Sequence, residues 1–148
     1  MIKRIILLGI IMCIIRLNGC IQETEVEFGT IAQGYYCGHN ESGNYVIRDE
    51  NEWGNLWDIV YSTTTPKPSL PEIDFSQYMV TAVFIGTKPT GGYNIEIIKI
   101  EEINTIFEIH IEEKSPDPDS IVTDALTQPF YIIKTKIIEK EIVIKKDN

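Results

Sequence analysis

Cys37, His39 and His110 carry the side chains that could act as a nucleophile or a general base. A cysteine nucleophile needs an activating base beside it, because the thiolate is the reactive form. His39 is close to Cys37 in sequence, but Gly38 and the polar residues after it predict a turn, whereas only a strand would point both side chains to one face. We therefore predict that Cys37 is a small buried residue and not a catalytic one.

His110 belongs to an alternating stretch, residues 107–112, in which Phe107, Ile109 and Ile111 are apolar and the residues between them are polar. This pattern predicts a half-exposed strand with His110 on its solvated face. No second histidine or cysteine stands at metal-ligand spacing, so we expect a solvated residue rather than a metal ligand. The acidic segment 114–124 lacks the central glycine of a calcium loop, and we predict no metal site there.

The sequence has none of the common catalytic motifs: no Gly-x-Ser-x-Gly, no His-Glu-x-x-His and no phosphate-binding loop. The 22 acidic residues cannot be sorted by sequence into the facing pair that glycoside hydrolysis needs. We therefore expect a protein that is not an enzyme and has no cofactor. A hydrolase that uses His39 or His110 is the competing class.

The charge of the chain excludes some partners. The net charge is −9, and three of the 13 basic residues (Lys3, Arg4, Arg16) lie near the start; without them 10 basic residues face 22 acidic ones, a net charge of −12. So acidic a domain repels phosphate backbones and anionic lipid surfaces. We expect no nucleic-acid binding, and any membrane attachment has to come from the N-terminal segment.

That N-terminal segment has the form of an export signal. A short basic start precedes an apolar stretch, residues 5–15, that is too short for an ordinary transmembrane span. Leu17-Asn18-Gly19-Cys20 then resembles a lipobox, in which the cysteine is lipid-modified and becomes the mature N-terminus. We predict a signal peptide at 1–19, a lipidated tether at 20–27 with Cys20 as the lipid site, and a β domain at 28–148. The predicted location is outside a membrane, anchored by Cys20.

The rest of the chain is organised around a loop of three glycines and a proline, residues 86–93. An apolar run, 79–85, enters the loop, as expected for a strand covered on both faces. An alternating run, 93–100, leaves it with a phase shift after Ile97 that predicts a β-bulge. Proline restricts φ and glycine accepts positive φ, so the backbone of the loop is tightly shaped. If Gly91 and Gly92 hold positive φ, alanine at these positions lowers stability.

One helix is predicted among these strands. Trp53, Leu56, Trp57 and Val60 form one apolar stripe at helical spacing, and Asp49 or Asn51 can cap its start. We expect the tryptophans to pack on a sheet rather than to form a ligand platform. Strands are also predicted at 28–36, 45–47, 107–112, 131–134 and 137–144, the first two as a possible hairpin, and the tail from 145 on is predicted to fray. The fold class is mainly β (α+β): an antiparallel sandwich or open barrel of about seven strands with one packed helix.

Several motifs occur here in the order that they have in the PrcB-like domain, which is named for an accessory lipoprotein of a surface protease complex. They are Trp53-x-x-Leu56-Trp57, Ile73-Asp74-Phe75, Gly86-Thr87-Lys88-Pro89-Thr90-Gly91-Gly92-Tyr93 and Thr127-Gln128-Pro129-Phe130. The resemblance covers residues 26–134. It implies an exported, non-catalytic domain that assists or stabilises a protease or another exported protein through the loop at 86–93.

A fainter resemblance is to chagasin-type inhibitors of cysteine proteases, which use a Pro-Thr-Thr-Gly-aromatic loop beside an Arg-Pro-aromatic loop. Pro89-Thr90-Gly91-Gly92-Tyr93 is similar to the first, and Gln128-Pro129-Phe130 to the second with glutamine in place of arginine. The segment 114–124, in the place of the glycine-rich middle loop, has no glycine. The predicted partner-binding residues are Lys88, Pro89, Thr90, Gly91, Gly92, Tyr93, Pro129 and Phe130. A chagasin-like inhibitor and a structural envelope lipoprotein without a defined partner remain the alternatives.

Overall fold

Eight strands and one helix make up the regular structure of residues 23–147, the part of the chain that the computed structural model describes. In chain order they are β1 (Glu23–Glu25), β2 (Gly29–Gly34), β3 (Ser42–Ile47), α1 (Glu50–Val60), β4 (Tyr78–Ile85), β5 (Asn94–Ile103), β6 (Ile106–Lys114), β7 (Phe130–Lys136) and β8 (Glu141–Asp147). The predicted lipid site Cys20 and the predicted signal peptide lie outside the described residues.

The strands form two sheets of four. The outer sheet has the order β1-β5-β6-β8, and the middle sheet has the order β2-β7-β4-β3. The mainly β sandwich with one packed helix is confirmed. The sheets do not close into a barrel, and the described strands number eight rather than about seven.

The middle sheet lies between the helix and the outer sheet, so it is covered on both faces. Val80, Ala82 and Phe84 of β4 pack with the helix, while Met79 and Val83 pack against the outer sheet. Successive side chains of a strand point to opposite faces, and a strand with two buried faces must therefore be apolar throughout. The apolar run at 79–85 has this environment, as its composition predicts.

The helix packs as its apolar stripe predicts. Asp49 is the N-cap, and its carboxylate accepts a hydrogen bond of 2.9 Å from the backbone N–H of Glu52. Trp53 and Trp57 are both buried against the middle sheet. Their indole N–H groups donate to the carbonyls of Pro71 and Pro68 in the segment after the helix. The tryptophans therefore hold both the helix and the proline-rich connection in place.

Two expectations about strand pairing are wrong. β2 and β3 do not form a hairpin: they pair with β7 and β4 and lie on opposite edges of the middle sheet. The sandwich is also not wholly antiparallel, because β8 pairs with β6 in parallel. The chain crosses to the middle sheet as β7 between these two strands, so β8 returns in the direction of β6.

The boundary expectations at both ends need correction. Residues 23–25 belong to the predicted tether but form β1, which pairs with residues 101–103 of β5. Val26 packs into the core between the sheets, which explains why this acidic segment is ordered. At the other end, the tail predicted to fray from Lys145 on continues β8 to Asp147. Residues 145–147 are all charged, so their sequence does not distinguish the end of a strand at the edge of a sheet from a polar tail.

Within residues 23–147 the structure contains no helix with the length and apolarity needed to cross a bilayer.

Candidate binding surface

Three loops meet at one end of the sandwich, which we call the loop end. They are the first loop (35–41, between β2 and β3), the second loop (86–93, between β4 and β5) and the third loop (115–129, between β6 and β7). The strand register places them together, because Phe130 pairs with both Gly34 and Phe84, and Ser42 pairs with Ile85. In the outer sheet, Asn94 pairs with Lys114 at the same end.

Backbone hydrogen bonds join the second loop to the other two. Lys88 and Thr127 exchange two backbone hydrogen bonds, of 2.8 and 3.0 Å, and the N–H of Gly91 donates to the carbonyl of Thr123. The N–H of Thr87 donates to the carbonyl of Asn40 in the first loop. The second loop is therefore held by contacts to chain segments on both sides, and little backbone freedom remains to be lost on binding.

The glycines of the second loop have different roles. Gly86 and Gly92 have φ angles of 73° and 85°, in the region that favours glycine. A Cβ on Gly92 would lie 2.7 Å from Cβ of Pro116 in the third loop. Gly91 is not among the positive-φ residues, so the condition holds for Gly92 alone; a Cβ on Gly91 meets only ordinary contacts, the nearest at 3.4 Å from Thr123. Gly92 is thus required both by its conformation and by the close approach of the third loop.

The predicted binding residues of the second loop are reachable from solvent to different extents. Pro89 is exposed, and Lys88 and Thr90 are half-buried. The ammonium of Lys88 lies 5.6 Å from the centre of the Tyr93 ring, within the range of a cation–π contact. The ring of Tyr93 packs against the core between the sheets, so its accessible part is limited. The loop therefore presents a rigid backbone with short side chains and one cation.

Pro129 and Phe130 are not surface residues. Phe130 is 3% exposed and belongs to the core between the helix and the middle sheet, where it stacks with Phe84. It is the first residue of β7, and its side chain points to the helix face. Pro129 is buried as well. An interface anchor needs accessible area, so the expectation that these two residues contact a partner is corrected.

Exposed aromatic residues do occur at the loop end, in a place that the sequence did not indicate. Tyr35 and Tyr36 of the first loop are 52% and 59% exposed, and Leu126 of the third loop is 63% exposed. The two tyrosines border an open groove of about 320 Å³. The other residues that line this groove are Gly91, Gly92, Asn94, Thr123 and Thr127. Two consecutive tyrosines directly before a turn cluster were the available signal, but periodicity alone assigned them to a strand.

Cys37 and His39 do not form a nucleophile–base pair. The Cys37 thiol is buried and donates weakly to the backbone carbonyls of His39 and Gln128. Its burial raises the pKa of the thiol, which disfavours the reactive thiolate. The His39 ring instead contacts the hydroxyl of Tyr45 at 2.9 Å and stacks on Phe84. Cys37 is the small buried residue that we predicted.

The prediction that His110 is exposed to solvent is wrong. It lies on the outer face of β6, as the alternation requires, but it is only 8% exposed. Three carboxylates surround its ring: Glu101 of β5, Glu108 of β6 and Asp147 of β8. A hydrogen bond from Lys99 lowers the pKa of Glu101, and the ammonium charge adds to this effect. Strand pairing, which the alternation of β6 does not contain, produces this cluster.

Fold and loop end together define a β-sandwich domain with a covering helix and a preformed surface made by three loops. Residues 79–136 match the family model described as PrcB C-terminal, which supports, over this stretch, the PrcB-like domain predicted from the motifs. The matched stretch runs from the buried strand β4 to the end of β7 and includes the second and third loops. No curated protein and no solved structure matches the chain.

Proposed function

We propose that this chain is a non-catalytic accessory protein that binds an exported protease, or another exported protein, through the loop end, and so assists or stabilises it. The observation that carries the proposal is the position of Tyr35 and Tyr36, which stand exposed beside a second loop fixed by hydrogen bonds on both sides. The match to the PrcB C-terminal family favours a role beside a protease complex.

The physical properties of the loop end suit protein recognition. Tyrosines contribute much of the energy of protein interfaces because they bury a large area with few rotatable bonds. A backbone that is already ordered, as in the second loop, costs little entropy when it docks. The open groove between the two tyrosines and the second loop has a volume of about 320 Å³, into which a partner side chain can fit. No basic patch is needed for this function, in agreement with the net charge of −9.

Direct inhibition of a protease, as by the chagasin-type inhibitors, is the second candidate. The joining of the second and third loops at one end of a sandwich favours it, since such an end can enter a cleft as one rigid wedge. The burial of Phe130 weighs against it, because the aromatic residue of the second chagasin-like motif is then not available for contact. Loss of protease activity on addition of the purified chain would distinguish inhibition from stabilisation.

We also propose that the chain is exported and anchored outside a membrane by a lipid on Cys20. The basic start, the short apolar stretch and the lipobox-like Leu17-Asn18-Gly19-Cys20 support this location. In such an arrangement only a few residues separate Cys20 from β1, so the domain would stay close to the membrane surface.

Cys20→Ala is expected to abolish incorporation of a labelled fatty acid into the full chain, because the thiol that carries the lipid is lost. The measurement is metabolic labelling followed by isolation of the protein. Cys13→Ala, which removes the other cysteine of the N-terminal segment, is the matched control and should label as the wild type does. Equal labelling of the wild type and Cys20→Ala would refute the lipid anchor.

A double substitution of Tyr35 and Tyr36 by alanine is expected to lower partner capture at least about tenfold, which corresponds to about 1.4 kcal/mol. The side chains are exposed, so the unfolding midpoint should change little. Lys88→Ala with Thr90→Ala should act in the same direction, because it removes two partly accessible side chains of the second loop without altering its backbone hydrogen bonds. The measurement is recovery of a co-purifying protease from solubilised membranes, identified by mass spectrometry.

Ile137→Ala is the control for this experiment. Ile137 is an exposed apolar residue at the opposite end of the sandwich, where its N–H donates to the carbonyl of Gln77. It should leave capture unchanged. Equal capture by all variants would remove the loop end from the interface, and capture of no protein by the wild type would favour a structural envelope lipoprotein without a defined partner.

A further inference from the structure

A compact set of ligand atoms lies on the outer face of the outer sheet, away from the loop end. Nε2 of His110 is 3.2 Å from Oε2 of Glu101 and 3.5 Å from Oε2 of Glu108. The three residues offer ligand atoms that all lie within 4.8 Å of one another. The register explains the arrangement: Glu101 of β5 is directly opposite Glu108 of β6, and His110 follows two residues later on the same face.

Two of these atoms, one on Glu108 and one on His110, are buried and lack hydrogen-bond partners. The side chains of Glu108 and His110 are only 6% and 10% exposed. Among the described residues, neither Oε2 of Glu108 nor Nε2 of His110 has a hydrogen-bond partner. Lys145 places its ammonium 2.7 Å from Oε2 of Glu108, but without hydrogen-bond geometry. An unsatisfied buried polar atom destabilises the fold, and it does so more strongly when it carries charge.

The contact of the other ring nitrogen of His110, Nδ1, indicates where the ring proton lies. Nδ1 lies 3.1 Å from Oδ2 of Asp147, so the ring proton belongs on Nδ1, where it is donated to that carboxylate. In the neutral ring, Nε2 then carries a lone pair, and this lone pair points at two carboxylate oxygens. The two carboxylate oxygens lie 3.2 and 3.5 Å from this lone pair, and acceptors this close repel one another unless a cation lies between them.

We propose that Glu101, Glu108 and His110 bind a divalent transition-metal ion of the Zn²⁺ class. Zinc bonds of about 2.0–2.1 Å in tetrahedral geometry place ligand atoms about 3.3 Å apart, which matches the two distances from Nε2. An imidazole ligand selects this class over Ca²⁺ and Mg²⁺, which prefer oxygen ligands alone. Three protein ligands leave a fourth position for water.

The surroundings of the three ligands support the site. Asp147 stands where metal-binding histidines commonly have a carboxylate, on the ring N–H opposite the metal, which fixes the tautomer and the ring orientation. Lys99 pairs with Glu101 at 2.9 Å and Lys145 with Glu108. Each carboxylate has a second oxygen to which the ammonium group can move, so neither ion pair excludes the metal. The bound ion would join β5 directly to β6 and, through Asp147, to β8.

Binding of Zn²⁺ to the full chain, after removal of metal with a chelator, tests the proposal. Isothermal titration calorimetry is expected to show one ion per chain, and Zn²⁺ should raise the melting temperature because it binds the folded state. His110→Gln and Glu108→Gln should each weaken binding at least about tenfold. Asp147→Asn should weaken it by about tenfold or more through loss of the ring's carboxylate partner.

The chain has one other histidine, which makes His39→Gln the matched control. This variant should bind Zn²⁺ within about twofold of the wild type. Asp147 lies in the last strand with a partly exposed side chain, so its variant keeps the test valid even if substitution of His110 or Glu108 impairs folding. Absence of Zn²⁺ binding by the wild type, or equal binding by the wild type and Asp147→Asn, would overturn the proposal and leave Lys99 and Lys145 as the cations of the cluster.

Discussion

Trp57→Ala is expected to lower the free energy of unfolding by about 3–5 kcal/mol, the range for truncation of a large buried aromatic residue. Trp57 is almost fully buried, and its ring packs against Trp53 and Tyr61, with centroids 5.1 and 4.5 Å away. Its indole N–H also donates to the carbonyl of Pro68 at 3.1 Å. The substitution therefore removes packing on the middle sheet and the hydrogen bond that holds the connection after the helix.

The measurement is chemical denaturation followed by far-ultraviolet circular dichroism. Ile59→Ala is the matched control, because Ile59 lies on the same helix with its side chain exposed. It should change the free energy of unfolding by no more than about 0.5 kcal/mol. Similar midpoints for Trp57→Ala and the wild type would show that the helix does not depend on this contact, and the tryptophans would return as candidates for a ligand platform.

Phe130→Ala is expected to have a destabilising effect of the same size, about 3–5 kcal/mol. Phe130 is buried between the helix and the middle sheet, and its ring packs against Phe84 and Tyr61. A ring-sized cavity at this place also affects the end of β2, since the Phe130 ring lies over Gly34. The residue would then act on the loop end only through the stability of the strands that carry it.

Comparison with the double alanine variant of Tyr35 and Tyr36 separates the two roles. Phe130→Ala should lower stability while the fraction that remains folded captures the partner as the wild type does. The tyrosine variant should keep its stability and lose capture. Reduced capture by fully folded Phe130→Ala, at unchanged stability, would restore Phe130 as a contact residue and contradict its position in the core.

Local patterns in the sequence were sufficient for several elements. The apolar stripe and the N-cap Asp49 predicted helix α1, because both depend on residues within one or two turns. The phase shift after Ile97 predicted the bulge between Ile97 and Lys99. Asn104, with a φ of 52°, forms the turn between β5 and β6, since its side chain tolerates this conformation. Each of these features is encoded in a short stretch of chain.

The position of the loop end was predictable in part. The glycines and the proline of residues 86–93 indicated a shaped loop, and two of the three glycines have positive φ. Which aromatic residues accompany the loop was not predictable. Tyr36, two residues after β2, and Phe130, the first residue of β7, are both aromatic, but one is 59% exposed and the other is 3% exposed. The difference arises because Phe130 faces the helix, and a single strand does not specify which layer lies on each of its faces.

By itself the sequence determined that the chain forms a β-rich domain with one amphipathic helix and a rigid glycine-rich loop, since periodicity and backbone restrictions act over a few residues. Only the tertiary structure decided what His110 contacts. Glu101 reaches it through the register of β5 and β6, and Asp147 through the parallel return of β8 from the other sheet. Alternation places His110 on the outer face of its strand, but its burial and its carboxylate neighbours depend on strands that pair across long stretches of chain.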